Sequence, residues 1–480
     1  MTTNKSAWGR VGGALAGAAL VAALGTLTAT AQAAATIVIM NTNAPGVGFN
    51  DPTPAAPVGG NAGTTLGQQR LIAFQAAADI WGATLTSSQT IKIRASFEPL
   101  TCTATSAVLG SAGAYNIWSD FPNAAKAGAW YPQALANKLA GTDLSEGDPQ
   151  GQDIQARFNS RLGLFSNCLP GSPFYLGLDN NHGTAIDLVT VLLHEFGHGL
   201  GFQTFTSGAT GDVFFGQPSI WDYYLMDDTT GKLWINMTSA ERAASALKPR
   251  QLSWTGANVT KAVPMALSAG TPRLQVYGAA GGAAGTYDVG GASFGPPLST
   301  TPVTGQMVQL VDQPNGTGLA CTPVAGNAFQ GKVAVVDRGV CGFAVKAAIM
   351  QAAGAKGVVI VDNVAGGPPA GMSGTDPTIT IPSVRITLEA GTLIKKALAE
   401  RSGGVIGRFD VNTAQYAGAD AFGRALMYTP NPYQSGSSVS HWDTIAFPNQ
   451  LMEPAINADL LHTVVMPADM TFELLKDIGW

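Results

Sequence analysis

The chain has 480 residues, of which 46% are hydrophobic and 12% are charged, and its formal net charge is −5. This length predicts two or three domains, and the apolar content excludes a disordered chain. The acidic balance offers no basic patch for nucleic acid, and beyond residue 33 no uninterrupted apolar run is long enough to span a bilayer.

The first 33 residues have the pattern of a signal peptide. Lys5 and Arg10 precede a run of small apolar residues, and Ala31–Ala33 fits the small-x-small cleavage rule. An uncleaved membrane anchor is the alternative, which the adjoining cleavage-type site disfavours. Without Lys5 and Arg10, 24 basic side chains face 31 acidic ones, a net charge of −7. We therefore expect an exported protein, secreted or periplasmic, with no membrane span after cleavage.

The first part of the mature chain alternates between strands and helices. Residues 36–41 predict a strand, and 65–85 predict a helix with apolar residues at steps of three and four. Residues 90–100 alternate as a strand does, and 172–179 are typical of an edge strand. The residues expected to face the core are Leu71, Phe74, Ala78 and Trp81 of the helix, and Ile91, Ile93, Ala95 and Phe97 of the strand.

The clearest predicted helix spans residues 184–200, TAIDLVTVLLHEFGHGL. Thr184, followed three residues later by Asp187, predicts a capping-box type of start. The helix carries an apolar stripe, Ile186, Val189, Leu193 and Phe196. Gly201 can adopt the positive φ that turns the chain away after the last turn.

This helix carries half of a zinc site. His194 and His198 are four residues apart, so that both imidazoles lie on one helix face and can hold one Zn²⁺. Glu195 can reach a zinc-bound water as general base, since zinc lowers the pKa of that water toward neutrality. The alternative is a pair of surface histidines on an ordinary helix, which the capped, amphipathic context disfavours.

The third ligand is not adjacent, because Thr204 stands where the contiguous form of this motif has a histidine. The chain has only five histidines, which are His182, His194, His198, His441 and His462. His182 lies too close to the helix to fold back onto a metal, and His462 has the context of a packed or surface residue. Asp222 and Glu241 are acidic alternatives to His441, and the residues alone leave the choice open.

From about residue 270 the pattern changes to strand, helix and strand, at 333–336, 343–353 and 357–361. This order predicts a parallel βαβ unit, and residues 379–398 add a strand and a closing helix. A separate small domain is therefore expected. After about residue 412 the chain returns to helix and loop and ends in a short helix with Leu474 and Leu475 buried.

The combination of HEFGHGLGF with a distant SHW and LMEP resembles the leishmanolysin-type metzincins. The resemblance implies that His441, within Ser440–Trp442, is the third zinc ligand. It also implies that Met452 lies in a methionine turn beneath the metal, as a hydrophobic floor and not as a ligand. Three histidines leave the fourth position of a single catalytic zinc open for water.

His441 follows His198 by 243 residues, a gap that requires an inserted domain. Residues 331–398 resemble a protease-associated (PA) domain, a module of many secreted peptidases, and Cys321 and Cys341 resemble its disulfide pair. An exported chain with four cysteines favours disulfides. Of three connectivities, Cys102–Cys168 with Cys321–Cys341 keeps each bridge within one proposed domain. The chain has no Cys-x-x-Cys spacing, so zinc binding by the cysteines is disfavoured.

Together these features predict an α+β fold, in which a metzincin-like zinc peptidase domain with a mixed sheet and an active-site helix is interrupted by an α/β PA domain. The expected divisions are the signal peptide, the first catalytic part, the inserted domain and the second catalytic part, at 1–33, 34–265, 266–412 and 413–480. Leishmanolysin itself has more cysteines and a long pro-segment, whereas this chain shows no clear pro-domain.

The expected function is hydrolysis of peptide bonds in protein or peptide substrates by a secreted zinc endopeptidase, through a zinc-bound water activated by Glu195. One alternative is a non-catalytic protein-binding module on a peptidase-derived fold. Retention of Glu195 argues against it, because a structural zinc site does not need that carboxylate. The other alternative is a zinc peptidase whose third ligand is Asp222 or Glu241.

Overall fold

The computed structural model describes residues 34–480 except residues 105, 149–150, 373, 375, 401–402 and 458. The proposed signal peptide and its cleavage site lie outside the described residues. The fold is mixed α+β, as expected, and is built on two main sheets. Within the described ranges, no helix combines the length and the apolar character that crossing a bilayer requires.

The first sheet has four strands in the order β1-β2-β6-β3. Its bounds are β1 Ile37–Asn41, β2 Ile91–Glu98, β6 Ile154–Asn159 and β3 Gly110–Ala114. The first three strands run parallel, and β3 pairs antiparallel with β6 at the edge of the sheet. Ile91, Ile93, Ala95 and Phe97 of β2 are buried, as the alternation predicts.

Two helices pack against this sheet, α1 (Leu66–Thr84) and α3 (Leu188–Leu200). The Thr65 side chain accepts a hydrogen bond from the Gln68 amide and so caps α1. Trp81 of α1 is fully buried, and its indole Nε1 donates to the Leu193 carbonyl at 3.1 Å. Leu71 is partly exposed, unlike the other residues of the predicted stripe. The direct contact between α1 and α3 fixes α3 on the sheet.

The rest of the body consists of short elements and the C-terminal helix. They are β4 Ile117–Trp118, β5 Tyr131–Pro132, α2 Gln133–Ala140, β7 Phe174–Tyr175, β8 Ile186–Asp187, β9 Leu225–Asp227, β10 Lys232–Leu233, α4 Ser239–Ser245, β11 Leu252–Trp254, α5 Ala257–Ala266 and α8 Thr471–Ile478. Asp477 of α8 accepts hydrogen bonds from the Trp254 indole and the Asn258 amide. The end of the chain is thereby joined to the segment before the second sheet.

The second sheet has seven strands in the order β13-β12-β18-β14-β15-β16-β17. The strands are β12 Ala269–Gly278, β13 Gly285–Asp288, β14 Val303–Gln309, β15 Val333–Asp337, β16 Gly357–Val361, β17 Ser383–Ile386 and β18 Val405–Tyr416. From β14 to β17 the strands run parallel. Helices α6 (Phe343–Ala352) and α7 (Leu388–Glu400) cover opposite faces, each with its own apolar core.

The second sheet is an insertion in the body, because its chain enters and leaves at adjacent points. Strands β12 and β18 pair antiparallel, and Ala269 lies opposite Tyr416. The Ala417 amide donates to the Ser268 carbonyl at 2.9 Å. The sheet therefore continues to Tyr416, past the boundary expected at residue 412. The two disulfides have the expected pairing, Cys102–Cys168 in the body and Cys321–Cys341 in the insertion.

Candidate metal centre

Helix α3 is buried along its whole length and begins at Leu188. Its N-cap is Asp187, whose carboxylate accepts a hydrogen bond from the Thr190 amide at 2.7 Å. The capping box predicted at Thr184 is wrong, because Ile186–Asp187 forms a short parallel strand with Phe174–Tyr175. Gly201 has φ +128° and ends the helix as the sequence predicts.

Three histidines converge on one point. The Nε2 atom of His198 lies 3.2 Å from His194 Nε2 and 3.2 Å from His441 Nε2. The third side of this triangle, between His441 and His194, measures 3.3 Å. All three side chains are buried. Among the described residues, this is the one group of histidine, cysteine and acidic side chains whose ligand atoms converge as a metal site requires.

Each imidazole is oriented through its other ring nitrogen. The Nδ1 atoms of His194, His198 and His441 lie 2.8, 2.7 and 2.8 Å from the carbonyl oxygens of Leu451, Phe202 and Ser437, respectively. A carbonyl accepts only, so each Nδ1 carries the proton and each Nε2 presents a lone pair. Three lone pairs that face one another at this distance repel unless a cation lies between them.

Burial also keeps these imidazoles neutral. It lowers the pKa of His194 to about 4 and that of His198 to about 3, although their carbonyl partners act in the opposite direction. Burial, together with the other two histidines, lowers the pKa of His441 well below its ordinary value. At neutral pH all three rings are therefore in the form that binds a metal.

The triangle has the dimensions of a zinc site. Zinc–nitrogen bonds of about 2.0–2.1 Å in tetrahedral geometry separate two ligand nitrogens by about 3.3 Å. The observed separations of 3.2–3.3 Å agree with this value. Three neutral nitrogen donors with one position open fit a catalytic zinc ion, whereas a structural site is closed by a fourth protein ligand.

Glu195 lies beside this triangle on the same helix and is also buried. Its carboxylate accepts a hydrogen bond from the backbone of Ala112 in the edge strand β3. Burial raises the pKa of Glu195 to about 8, and the Ala112 hydrogen bond opposes this shift. A carboxyl group with a raised pKa in a buried site is typical of a proton-transfer residue.

The chain returns to α3 at the place where a contiguous motif would have continued. The Thr204 amide donates to Ser440 Oγ at 3.2 Å, so the residue before His441 touches the position of the missing histidine. The His441 carbonyl accepts from the Tyr428 amide at 2.9 Å. The inserted domain thus separates two segments that are neighbours in space.

Met452 lies beneath the helix that carries the first two histidines. It is fully buried, and a Cβ atom placed on Gly197 would lie 2.9 Å from its sulfur, so a glycine at 197 admits the close approach. The preceding Leu451 carbonyl is the partner of His194. The Leu451 amide in turn donates to Asp469 at 2.6 Å. Sequence reasoning missed Asp469, for which no motif provides a signal.

The other candidate ligands are occupied elsewhere. Asp222 accepts from the hydroxyls of Thr204 and Thr206 and from the Ser219 amide, and so caps a short 3-10 turn. Glu241 lies at the surface, where it completes the capping box of α4 and pairs with Lys232. His182 and His462 contact the Ala185 carbonyl and the Asp187 carboxylate, respectively. The structure brings none of the four to the triangle.

Comparisons with known proteins identify one module. The family described as the PA domain matches residues 303–394. The chain therefore contains a PA domain, which includes strands β14 to β17 of the second sheet. No curated protein matches the chain. This family match covers less than half of the chain and lies outside the body that carries the three histidines.

Three solved structures are similar to part of the chain. An aminopeptidase from Aneurinibacillus sp. strain AM-1 is 21% identical, with a TM-score of 0.23 and coverage of 31% of each chain. A zinc aminopeptidase from Bacillus subtilis is 20% identical, with a TM-score of 0.21 over 32% of this chain and 36% of that chain. A peptidase M28 precursor from Shewanella amazonensis SB2B is 12% identical, with a TM-score of 0.20 over 32% and 40%. The match spans about a third of these proteins and carries no argument about the metal centre.

Proposed function

We propose that the protein is a zinc-dependent endopeptidase whose ligands are His194, His198 and His441. The observation that carries this proposal is the convergence of three buried, neutral Nε2 atoms at 3.2–3.3 Å beside a buried glutamate. A zinc ion in that place supplies Lewis-acid polarisation of a peptide carbonyl and lowers the pKa of an adjacent water molecule.

Glu195 is the general base in this proposal. A nearby dication favours the ionised carboxylate and opposes the effect of burial on its pKa. The carboxylate then takes a proton from the attacking water and gives it to the leaving amine as the carbon–nitrogen bond breaks. The Ala112 backbone acts on the carboxylate in the same sense as a dication, since its hydrogen bond favours the ionised form.

The resemblance to leishmanolysin-type metzincins supports the same assignment. It implies the third ligand at His441 and the hydrophobic floor at Met452, and the close packing of Met452 beneath Gly197 is consistent with that role. The presence of a PA domain is also consistent with a secreted peptidase. The two disulfides favour an oxidising compartment outside the cytoplasm.

The edge strand β3 favours cleavage within a chain over removal of a terminal residue. Within the part of the chain that the structure describes, strand β3 (Gly110–Ala114) pairs with β6 on one side only, and its backbone contacts the proposed base at Ala112. A free strand edge binds an extended peptide by adding a strand. A peptide bound in this way runs past the metal centre on both sides, which positions an internal bond for attack.

The test uses residues 34–480, purified with and without a zinc chelator. Zinc is measured by mass spectrometry, and cleavage is measured with a quenched peptide blocked at both termini. We expect about one zinc per chain, cleavage of the blocked peptide, and loss of activity with the metal. Cleavage only of unblocked peptides, from the amino end, would replace the endopeptidase proposal with an aminopeptidase. A chain that binds no zinc would overturn the metal site itself.

A further inference from the structure

Arg250 lies between the inserted domain and the segment that carries His441. Its Nη1 atom is 3.0 Å from the Asp288 carboxylate at the end of β13, and its Nε atom is 3.7 Å from the Asp443 carboxylate. The Arg250 side chain is 7% exposed, and that of Asp443 is fully buried. One guanidinium therefore pairs with an acid from each of the two parts of the fold.

The backbone explains how Arg250 reaches this position. It directly precedes the segment that enters β11, and the Met427 amide donates to the Leu252 carbonyl of that strand at 2.8 Å. The Asp443 amide donates to the Leu426 carbonyl at 2.9 Å, so residues 425–427 lie between β11 and Asp443. Arg250 itself has φ +61°, a conformation that glycine adopts at lower cost. In this conformation the Arg250 side chain reaches both carboxylates.

Asp443 depends on this arginine. Its carboxylate accepts a hydrogen bond from the Ile445 amide at 3.1 Å, and Arg250 is its ion-pair partner. A buried carboxylate that loses its cation is strongly destabilised, and a shift of the local structure that hydrates it relieves this cost. Asp443 is two residues from His441, and the intervening Trp442 amide donates to the Met452 carbonyl at 2.8 Å. Such a shift would move the third histidine relative to α3.

A second contact joins the inserted domain to the same segment. Gly367 and Asn431 form a backbone pair, in which the Gly367 amide donates at 2.9 Å and the Asn431 amide donates at 2.8 Å. Asn431 lies between Tyr428 and Ser437, the two residues whose backbone groups bind His441. A cavity of about 640 Å³ lies between the two contacts and is lined by residues that include Pro249, Asp288, Gly366 and Pro432.

We propose that Arg250 is a positioning residue of the metal centre, through which the inserted domain holds His441 in place. The inference rests on the proposed zinc site, although not on its peptidase activity. The inserted domain then supports the metal centre through Arg250, in addition to its two chain connections to the body. Metal affinity should therefore respond to substitutions at Arg250 and, across the domain boundary, at Asp288.

The experiment titrates Co²⁺ into metal-free protein of residues 34–480, because the visible spectrum of Co²⁺ reports the ligand geometry. Affinity is obtained by competition with a chelator, and folding is followed by thermal unfolding. We expect Arg250→Met to weaken Co²⁺ binding about tenfold, as residues behind metal ligands commonly do, and to alter the spectrum. Arg250→Lys keeps the charge and should recover part of the affinity.

Asp288→Asn removes the acid on the inserted domain, whose side chain is 56% exposed, and it leaves the pair with Asp443 intact. We expect a two- to threefold loss of affinity, of the order that a partly exposed ion pair provides. Glu400→Gln is the matched control, since Glu400 is an exposed acid on the same domain, paired with Lys396. This control should bind Co²⁺ as the wild type does.

Wild-type affinity and spectrum in folded Arg250→Met would overturn the inference, while the zinc site would stand. If Arg250→Met does not fold, Asp288→Asn decides, and an affinity equal to that of Glu400→Gln overturns the role of the inserted domain. A wild-type protein that binds no Co²⁺ refutes the proposed zinc site, and the inference with it. His441→Ala, measured in parallel, shows the spectrum expected when the third ligand is lost.

Discussion

Helix α3 supplies His194, Glu195 and His198 from five consecutive residues, whereas His441 and Met452 come from an irregular segment on the far side of an inserted domain. The helical half, residues 188–200, is apolar apart from these groups and Thr190, and its geometry follows from the helix itself. The downstream half, which carries His441 and Met452, is held by hydrogen bonds to separate parts of the chain, among them those that the Tyr428 amide donates to the His441 carbonyl and the Leu451 amide donates to Asp469. The helix places its ligands through its own period, whereas the irregular segment depends on these separate contacts.

This difference predicts which substitutions separate catalysis from metal binding. The largest expected effect is at Glu195, which lies in the helical half and is the proposed base but not one of the proposed metal ligands. Glu195→Gln keeps the size of the side chain and removes the proposed base, so we expect cleavage to fall by about 10²- to 10⁴-fold. Zinc content should stay at the wild-type level in the same preparation.

Glu98→Gln is the control for Glu195→Gln, because Glu98 lies at the end of β2 and pairs with Arg157 at the surface. It should leave both cleavage and zinc unchanged. Retained cleavage in Glu195→Gln would show that another group takes the proton. Loss of zinc would show that Glu195 is also needed for metal binding, and that it does not act only as the base.

The second prediction concerns the floor beneath the two halves. Met452→Ala removes a fully buried side chain under Gly197, and we expect a loss of about 2–5 kcal/mol in the free energy of unfolding. Met452→Leu preserves volume and should cost less than about 1.5 kcal/mol. Urea unfolding measures both. Each folded variant should retain zinc, and a Met452→Leu protein without zinc would contradict a purely packing role.

Glu453, also in the downstream half, should make stability depend on pH by at most about 1.4 kcal/mol per pH unit. Burial, with a smaller contribution from Asp443, raises the pKa of Glu453 to about 8 from an ordinary 4.5. The native state then keeps a proton that the unfolded state loses, so stability falls as pH rises from about 4.5 to 8. Glu453→Gln should remove this loss, which unfolding at pH 5 and pH 8 measures.

Glu400→Gln, at the surface of the inserted domain, should leave that pH dependence as it is in the wild type. Equal pH dependence in Glu453→Gln and the wild type would show that the downstream half is hydrated at Glu453. Water would then reach a side chain that is buried in the structure, and the downstream half would be less well packed than the helical half.

The helical half was predictable because its signals are local. The period of three and four residues located α1 and α3, and the alternating pattern located β2. The start of α3 was not predicted correctly, because Asp187 caps the helix only once Ile186–Asp187 has paired with Phe174–Tyr175. That pairing is a tertiary contact, and a capping-box pattern at Thr184 gives no sign of it.

The downstream half was less predictable from residues alone. Composition left His441, Asp222 and Glu241 as possible ligands, and the resemblance to a metzincin pattern favoured His441. The contacts that orient it come from the Ser437 and Tyr428 backbone, which every residue type possesses and which therefore leaves no mark in the sequence. Asp443 likewise carried no assigned role until its burial beside Arg250 became visible.

The most direct test of the metal centre compares zinc content and cleavage in the wild type, His441→Ala and Glu241→Ala, with folding checked by circular dichroism. We expect about one zinc per chain in the wild type and in Glu241→Ala, and loss of zinc or cleavage in folded His441→Ala. If His441→Ala keeps both zinc and cleavage, the third ligand lies elsewhere. The proposal that helix α3 and the downstream half bind one metal ion together would then be wrong.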